Sequence, residues 1–402
     1  MTPDDPIAGL ARRINADGSR KAVVYVAGGG TEVFPMLLAR GGGSATLLSG
    51  RIPYDAGDFR AILGRDPGRL VDARAARGLA MAAFRHALAL RGDLPAGSVF
   101  GLGATSKLGR GDGERERAGR SHEIHAALQA SDSTFCRSIT LAPGRDRAAE
   151  ERINALVLLQ LLARGKRLNA DLLPGPDAVV DQAADVATCR HPEIPALLEG
   201  RRAWLAFDLR GGGDFGPAAD GETPRLILPG SFRPLHDGHV RMAAVASELT
   251  GLACDYELSL FHPEKPPLDY LALESRLRGL AAARGRLVAT NAPTYVEKAR
   301  LFPGCTFVVG HDTALRILDP RFYGGATARD AMLAELEALG TRLLVFGRVD
   351  ADGQFRDFER EEFDQPAVAA FLARNARPVP EDRFRVDLSS TQVRARDGDD
   401  FP

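Results

Sequence analysis

Two histidines three residues apart, His236 and His239, flank Asp237 and Gly238 in the stretch GSFRPLHDGH at 230–239. The apolar run RLIL precedes this stretch and the helical run VRMAAVASEL follows it, so the pair sits at a strand-to-helix turn. Residues three apart on an incipient helix face the same way. The first helical turn presents unpaired N–H groups and the positive end of the dipole, which together form an address for a phosphate. Gly230 and Gly238 allow the backbone close to such a ligand, Ser231 and Phe232 belong to the same turn, and Pro234 stiffens it. The imidazoles then donate hydrogen bonds to phosphate oxygens with no covalent intermediate. A metal-binding pair and two satisfied surface histidines are the plainer alternatives. A second stretch, LSSTQVR at 388–394, has Ser389 and Gln392 at capping-box spacing, which by itself is an ordinary helix start. The hydroxyls of Ser389, Ser390 and Thr391, with Arg394 on the same face, would make it a second phosphate cradle.

The elements that must position these groups alternate between strand and helix. From 225 onward the runs RLIL, YELSLF, RLVAT, CTFVVG, TRLLVFGR and FRVDL are strand-like, and helical stretches separate them, an order that predicts a parallel, doubly wound sheet. From 20 to 165 the strand-like runs KAVVYVA, SATLLS, GSVFGLG and TFCRSITL alternate with the helices VDARAARGLAMAAFRHALAL and DRAAEERINALVLLQLLARG. The segment between is rich in Pro, Gly and Asp, although RRAWLAFDL, with the only tryptophan, reads as a strand. The expected organisation is an α/β domain over 1–170, a connecting segment over 171–224 and a second α/β domain over 225–402. A chain of 402 residues accommodates that division.

Charge and composition narrow the chemistry. Lys+Arg 52 against Asp+Glu 53 gives a formal net charge of −1, so no global field draws the chain to nucleic acid or an anionic membrane, and any phosphate chemistry must be local. The longest apolar stretch, ALVLLQLLA at 155–163, is too short to span a bilayer, and MTPDDPIAG lacks a signal pattern, so the expected location is the cytoplasm. Cys136, Cys189, Cys254 and Cys305 form no C-x-x-C pair and are expected as reduced, mostly buried thiols.

The two phosphate stretches together resemble the nucleotidyltransferase superfamily, with its [HT]-x-G-H loop at His236–His239 and its S-S-T-x-[IV]-R stretch at 389–394. Class I aminoacyl-tRNA synthetases share the first loop but carry a lysine-rich second one, and no lysine follows Lys298. The resemblance implies in-line attack by a phosphate monoester on the α-phosphorus of a nucleoside triphosphate. Mg²⁺ would enter with ATP, and no protein side chain is expected to hold a metal. It places His236 on the α- and β-phosphates, His239 on the transition-state charge, and Arg394 with Ser389, Ser390 and Thr391 on the leaving pyrophosphate. The segment FVVGHDTALRILDPRFY at 307–323 resembles the nicotinamide-nucleotide adenylyltransferases, which implies ribose contacts from Gly310 and Asp312. The same likeness implies acceptor contacts from Lys265 in FHPEKPPL and from Thr294, which also opens the capping box TYVE. The expected reaction is AMP transfer from ATP to nicotinamide or nicotinate mononucleotide. Cytidylyl or adenylyl transfer to an alcohol phosphate is the alternative, and a non-catalytic nucleotide sensor the third reading. Whether the chain forms a homo-oligomer is left open.

The N-terminal stretch AVVYVAGGGTEVFPMLLARGGGSATLLSGRIPY at 22–54 looks like the start of the CinA C-terminal domain, a nicotinamide-nucleotide amidase with an α/β sandwich fold. Active amidases carry a Ser-x-Thr-Gly-Gly nucleophile loop and a Tyr followed five residues later by a Lys. Tyr54 matches, but the loop reads Ala27-Gly28-Gly29-Gly30-Thr31 and Phe59 stands at the lysine position. The departure implies an inactive amidase module that binds a ligand or mediates assembly; a bifunctional amidase/adenylyltransferase is the alternative.

Overall fold

The computed structural model describes residues 6–39, 41–64, 66–109, 121–169, 179–188, 193–209, 216–217, 223–261, 267–280, 283, 285–350, 354–359 and 363–385. The chain divides into two compact units, Met1–Pro195 with Glu264–Ala272, and Ala196–Pro263 with Leu273–Pro402.

In chain order the first unit runs α1 (Pro6–Ala16), β1 (Lys21–Ala27), α2 (Val33–Leu38), β2 (Leu47–Arg51), α3 (Ala56–Leu63), α4 (Ala73–Leu90), β3 (Val99–Lys107), β4 (His122–Ala130), β5 (Ser133–Leu141), α5 (Arg147–Gly165) and β6 (Val179–Thr188). Its strands form one sheet ordered β2-β1-β3-β4-β5-β6. The first two ladders, β1 with β2 and with β3, are parallel, and the three from β3 to β6 are antiparallel. Gly101 and Gly103 on β3 are required by the helix above them: a Cβ at Gly101 would lie 2.1 Å from Phe84 N, and one at Gly103 2.3 Å from Ala80 N. The alanine-rich α4 therefore presses backbone against backbone. On α5, Leu158, Leu159 and Leu162 enter a core with Val24, Val26, Leu102 and Ile124, which explains the length of its apolar run. Asp269 belongs to this unit through a buried bidentate pair with Arg77, at 2.6 and 2.8 Å.

Helix α6 (Ile194–Leu198) spans the division, and the second unit continues with β7 (Trp204–Asp208), β8 (Gly216–Pro217), β9 (Leu226–Pro229), α7 (Asp237–Thr250), β10 (Cys254–Ser259), α8 (Tyr270–Leu280, whose first three residues belong to the first unit), β11 (Arg286–Thr290), α9 (Tyr295–Leu301), β12 (Thr306–Gly310), α10 (His311–Leu318), α11 (Ala326–Ala338), β13 (Arg342–Phe346), β14 (Arg348–Val349), β15 (Phe355–Arg356), α12 (Pro366–Asn375) and β16 (Ala376–Val379). The main sheet is ordered β16-β13-β12-β9-β10-β11-β7-β8. All ladders from β16 to β11 are parallel, while β7 and β8 add antiparallel strands at one edge. Numbered along the chain, the six parallel strands lie 3-2-1-4-5-6. The direction of winding reverses between β9 and β12, and such a reversal opens a crevice at the carboxyl ends of the strands.

Two elements depart from the sequence expectation. The sixth parallel strand is ARPV at 376–379 rather than FRVDL: Phe384 and Arg385 are in no strand, and 386–388 lie outside the described residues. Pro378 costs a ladder donor, which an outermost strand tolerates. The stretch 171–224, expected as a connection holding the strand-like RRAWLAFDL, supplies that strand as β7, with β8, to the second sheet and an unannounced β6 to the first. Most of β6 is exposed, so the apolar alternation that announces a half-buried strand is missing from it.

Candidate functional site

The turn after β9 is built so that two imidazoles meet at a helix head. Gly230 N donates to Glu257 O (3.0 Å) and keeps the chain on the sheet beyond the end of the strand. Phe232 then takes φ +42° with its ring almost fully buried, an arrangement that non-glycine residues adopt only under strong packing. Its ring lies edge-on to His239 at 5.3 Å and to Tyr256 at 5.6 Å. Ser231 is half-buried in the same turn. His236 is the N-cap of α7, and the His236 and His239 rings stack with centroids 3.8 Å apart.

The protonation chemistry follows from that packing. His236 N donates to His239 Nδ1 at 3.3 Å, so Nδ1 is the acceptor and the neutral ring carries its proton on Nε2. Burial, reinforced by the neighbouring His236, pushes the His239 imidazole down to about 3. Burial also lowers His236, against the opposing charge of Asp237. At neutral pH the pair is therefore uncharged, and His239 offers a directed N–H donor rather than a formal cation.

Gly310 ends β12 and caps α10, which puts it at the same sheet edge as the β9 turn, because β9 and β12 are neighbouring parallel strands. Asp312 lies in the first turn of α10 and pairs with Arg348 on β14, both half-exposed; the sequence reading missed this cation. Thr294 caps α9, accepting from Glu297 N at 3.4 Å while Glu297 Oε2 accepts from Thr294 N at 2.9 Å. Lys298 in that helix is buried and paired with Glu257 at 3.2 Å. Lys265, Ser389, Ser390, Thr391 and Arg394 lie outside the described residues. The last described residue, Arg385, has its carbonyl held by Arg241 Nη1 at 3.2 Å, and Arg241 lies one turn into α7. Among the described residues no group of three or more His, Cys, Asp and Glu side chains could hold a metal ion.

A second constellation occupies the first unit. Gly28 and Gly30, at φ +79° and +89°, turn the chain after β1, and the turn borders a cavity of about 460 Å³ lined by Gly29, Thr31, Glu32, Ile52, Tyr54, Asp146, Arg147, Ala148 and Glu151. One carboxylate takes up the turn's donors: Glu151 accepts from Gly30 N at 2.8 Å, Thr31 Oγ1 at 2.8 Å and Glu32 N at 3.4 Å. Arg147 donates to Gly28 O at 2.8 Å and Gly109 O at 3.3 Å. A Cβ at Gly29 would lie 2.5 Å from Leu108 Cδ1 and 2.8 Å from Glu151 Oε2, so a side chain there would have to push both of these aside. Tyr54 is 79% exposed at the rim, while Phe59 is buried in α3. Sequence reading found the glycines and Tyr54 but not Glu151, whose only local sign is its place one turn after the N-cap Asp146.

No family model matches the chain, and neither does any curated protein. Part of it is similar to solved structures of competence and damage-inducible proteins. The competence/damage inducible protein CihA from Agrobacterium tumefaciens gives a TM-score of 0.32 at 21% identity, over 41% of this chain and 99% of that one. The competence or damage-inducible protein from Enterobacter asburiae gives 0.32 at 16%, over 40% and 99%. A competence-damaged protein (CinA) superfamily protein from Escherichia coli gives 0.30 at 20%, over 41% and 91%. No helix among the described residues is long and apolar enough to cross a membrane.

Proposed function

We propose that the second unit is a nucleotidyltransferase that moves AMP from ATP to a phosphate monoester, with nicotinamide or nicotinate mononucleotide as the acceptor. The observation that carries the reading is the stacked pair His236 and His239 at the head of α7, buried enough to stay neutral and aligned so that His239 Nε2 carries the proton. The order 3-2-1-4-5-6 of the parallel strands, that of doubly wound dinucleotide-binding folds, supports it, because ligands of such sheets bind where the winding reverses. The path of the chain beyond β16 supports it too. Arg385 is tied to α7, and Ser389 follows four residues later.

In this reading an oxygen of the acceptor phosphate attacks the α-phosphorus in line. A new P–O bond forms, the bond to the α,β-bridging oxygen breaks, and pyrophosphate leaves with that electron pair. The chain's part is to place the two substrates and meet the growing charge with preorganised donors. His236 takes the α- and β-phosphates, His239 Nε2–H the transition-state oxygens, and Ser389, Ser390, Thr391 and Arg394 the pyrophosphate. The triphosphate enters as its Mg²⁺ salt, and the described residues add no ligand set of their own. Gly310 and Asp312 receive nucleotide ribose, with Asp312 exchanging Arg348 for the hydroxyls.

The test is pyrophosphate release by the purified chain, with ATP and CTP each offered against nicotinamide mononucleotide, nicotinate mononucleotide, phosphopantetheine and choline phosphate. Turnover with ATP and a pyridine mononucleotide is expected. Turnover with CTP and an alcohol phosphate alone would replace the acceptor assignment. ATP binding with no turnover on any pair would leave a sensor.

A further inference from the structure

The crossover from β10 to β11 does not stay in the second unit. Residues Glu264–Ala272 belong to the first, so the chain that leaves the carboxyl end of β10 is held there before it returns along α8. The departing end is tied within the second unit, where Leu260 N donates to Thr290 O at 2.9 Å and Ser259 Oγ to Ala292 O at 3.0 Å. The returning end is tied within the first. Arg77 on α4 donates from Nε to Asp269 Oδ2 at 2.6 Å and from Nη2 to Asp269 Oδ1 at 2.8 Å, with both side chains buried. Asp269 Oδ1 also accepts from Ala272 N at 2.8 Å and so caps the first turn of α8. Tyr270, almost fully buried, donates from its N to Thr134 Oγ1 at 3.0 Å and from its hydroxyl to Ser131 O, and Leu271 packs against Ala76, Ala80, Ala127 and Cys136.

A buried ion pair is a poor way to gain stability, because taking both charges out of water offsets most of their attraction, and a well-packed apolar pair would hold the helix as firmly. What the guanidinium fork adds is a single geometry against the carboxylate. The pair therefore fixes where α8 starts more than how tightly it is held. That position matters to the histidine turn. Strand β10 lies beside β9, on the side away from β12, and runs parallel to it, so its carboxyl end opens on the same edge, with Glu257 O accepting from Gly230 N at 3.0 Å. In the proposed transfer the nucleotide ribose takes the β12 side, at Gly310 and Asp312, which leaves the β10 side to the acceptor.

We propose that Arg77 and Asp269 are positioning residues for the phosphate-monoester acceptor: by fixing the start of α8, the first unit sets the acceptor affinity of the second. The proposal rests on the transferase reading above. It gives the first unit a part in the transfer that needs no chemistry of its own, because the two residues act through the chain between β10 and α8 and touch neither substrate.

The experiment follows pyrophosphate release with ATP and the acceptor that the unaltered chain turns over, nicotinamide mononucleotide in the reading above. Each substrate is varied in turn for the full-length chain, Arg77→Met, Asp269→Asn and the double variant Arg77→Met with Asp269→Leu, and denaturant melts report stability. Arg77→Met is expected to raise the KM for the acceptor by about tenfold and the KM for ATP by less than about twofold. The double variant, which no longer buries a lone carboxylate, should recover most of the stability and keep the raised acceptor KM. An unchanged acceptor KM in Arg77→Met, an equal rise in both KM values, or an acceptor KM that recovers together with stability overturns the proposal and leaves the pair as a fold contact. No turnover by the unaltered chain on any substrate pair refutes the transferase reading, and this proposal with it. Should Arg77→Met fail to fold, Asp269→Asn, which keeps an oxygen for the Ala272 cap, decides in its place: a rise confined to the acceptor KM supports the proposal, and no such rise overturns it.

Discussion

Two turns in this chain share a local plan and reach opposite ends. Each follows a parallel strand, β1 or β9, each is rich in glycine, and each brings backbone amides to the carboxyl edge of a sheet. In the first, Glu151 is delivered from α5 and takes up the amides of Gly30 and Glu32 and the Thr31 hydroxyl. In the second, the groups at the helix head are two stacked, desolvated imidazoles. A glycine turn before a helix is thus only an offer to an anion. What decides its use is whether the fold answers the offer internally.

The largest test of this contrast lies in the second turn. His239→Ala removes a directed donor from the transition state and should lower AMP transfer by about 10²–10³-fold. ATP affinity should change far less, because the other phosphate contacts remain. Pyrophosphate release under saturating ATP, with ATP affinity measured separately, checks both halves. A parallel loss of affinity would make His239 a ground-state binding residue instead.

Burial of the same ring should also be visible without substrate. The His239 pKa falls from an ordinary value of 6.5 to about 3 in the folded chain, so below pH 6.5 the unfolded state binds a proton that the folded state refuses. The resulting stability is fully present above pH 6.5 and is lost progressively as pH falls toward 3, by an amount on the order of a few kcal/mol. In His239→Asn an oxygen stands where Nδ1 accepted and the titration is gone. Denaturant melts between pH 7 and 4 should therefore show a shallower acid slope for this variant. An unchanged slope would mean that the imidazole is not desolvated.

The first turn is tested by crowding it with a side chain. Gly29→Ser places a Cβ against Leu108 and Glu151 and should destabilise the chain by about 1–3 kcal/mol through overpacking. Adding Glu151→Ala should recover part of that loss, since one of the two clashes is then gone, and the recovery shows in a double-mutant cycle of denaturant melts. Additive effects would show that Glu151 does not crowd position 29.

These positions also show where the sequence speaks and where it is silent. The histidine turn was readable because its signal is local: glycine, proline and two histidines lie within ten residues of a β-like run and a helix. The parallel sheet was announced by the same kind of local alternation, until Pro378 disguised β16 and the exposed face of β6 hid a strand in an apparent connection. Glu151 lies 120 residues or so from the glycines it caps, and in sequence it is one more acid on a helix. Arg348 is equally silent, 36 residues beyond Asp312. Pairings of that kind are set by the register of the strands, here Gly310 against Phe346, and the register is a property of the folded sheet.

The Asp312–Arg348 pair gives the smallest expected effect, and it bears on the same contrast, because it is where the second site too meets a charge of its own. Unlike Glu151, Asp312 is 60% exposed and its partner 48%, so water screens the pair and little stability should depend on it. Asp312→Asn should change the unfolding free energy by less than about 1 kcal/mol. If Asp312 receives ribose hydroxyls, the same substitution should raise the KM for a nucleotide substrate by roughly tenfold, the worth of a hydrogen bond to a charged group, and leave kcat near its original value. Arg348→Ala frees the carboxylate without altering it and should leave that KM unchanged or lower it. Opposite movements of KM in the two variants, at nearly constant stability, would identify the pair as a latch that substrate opens. A matching rise in both would place Arg348 itself on the nucleotide.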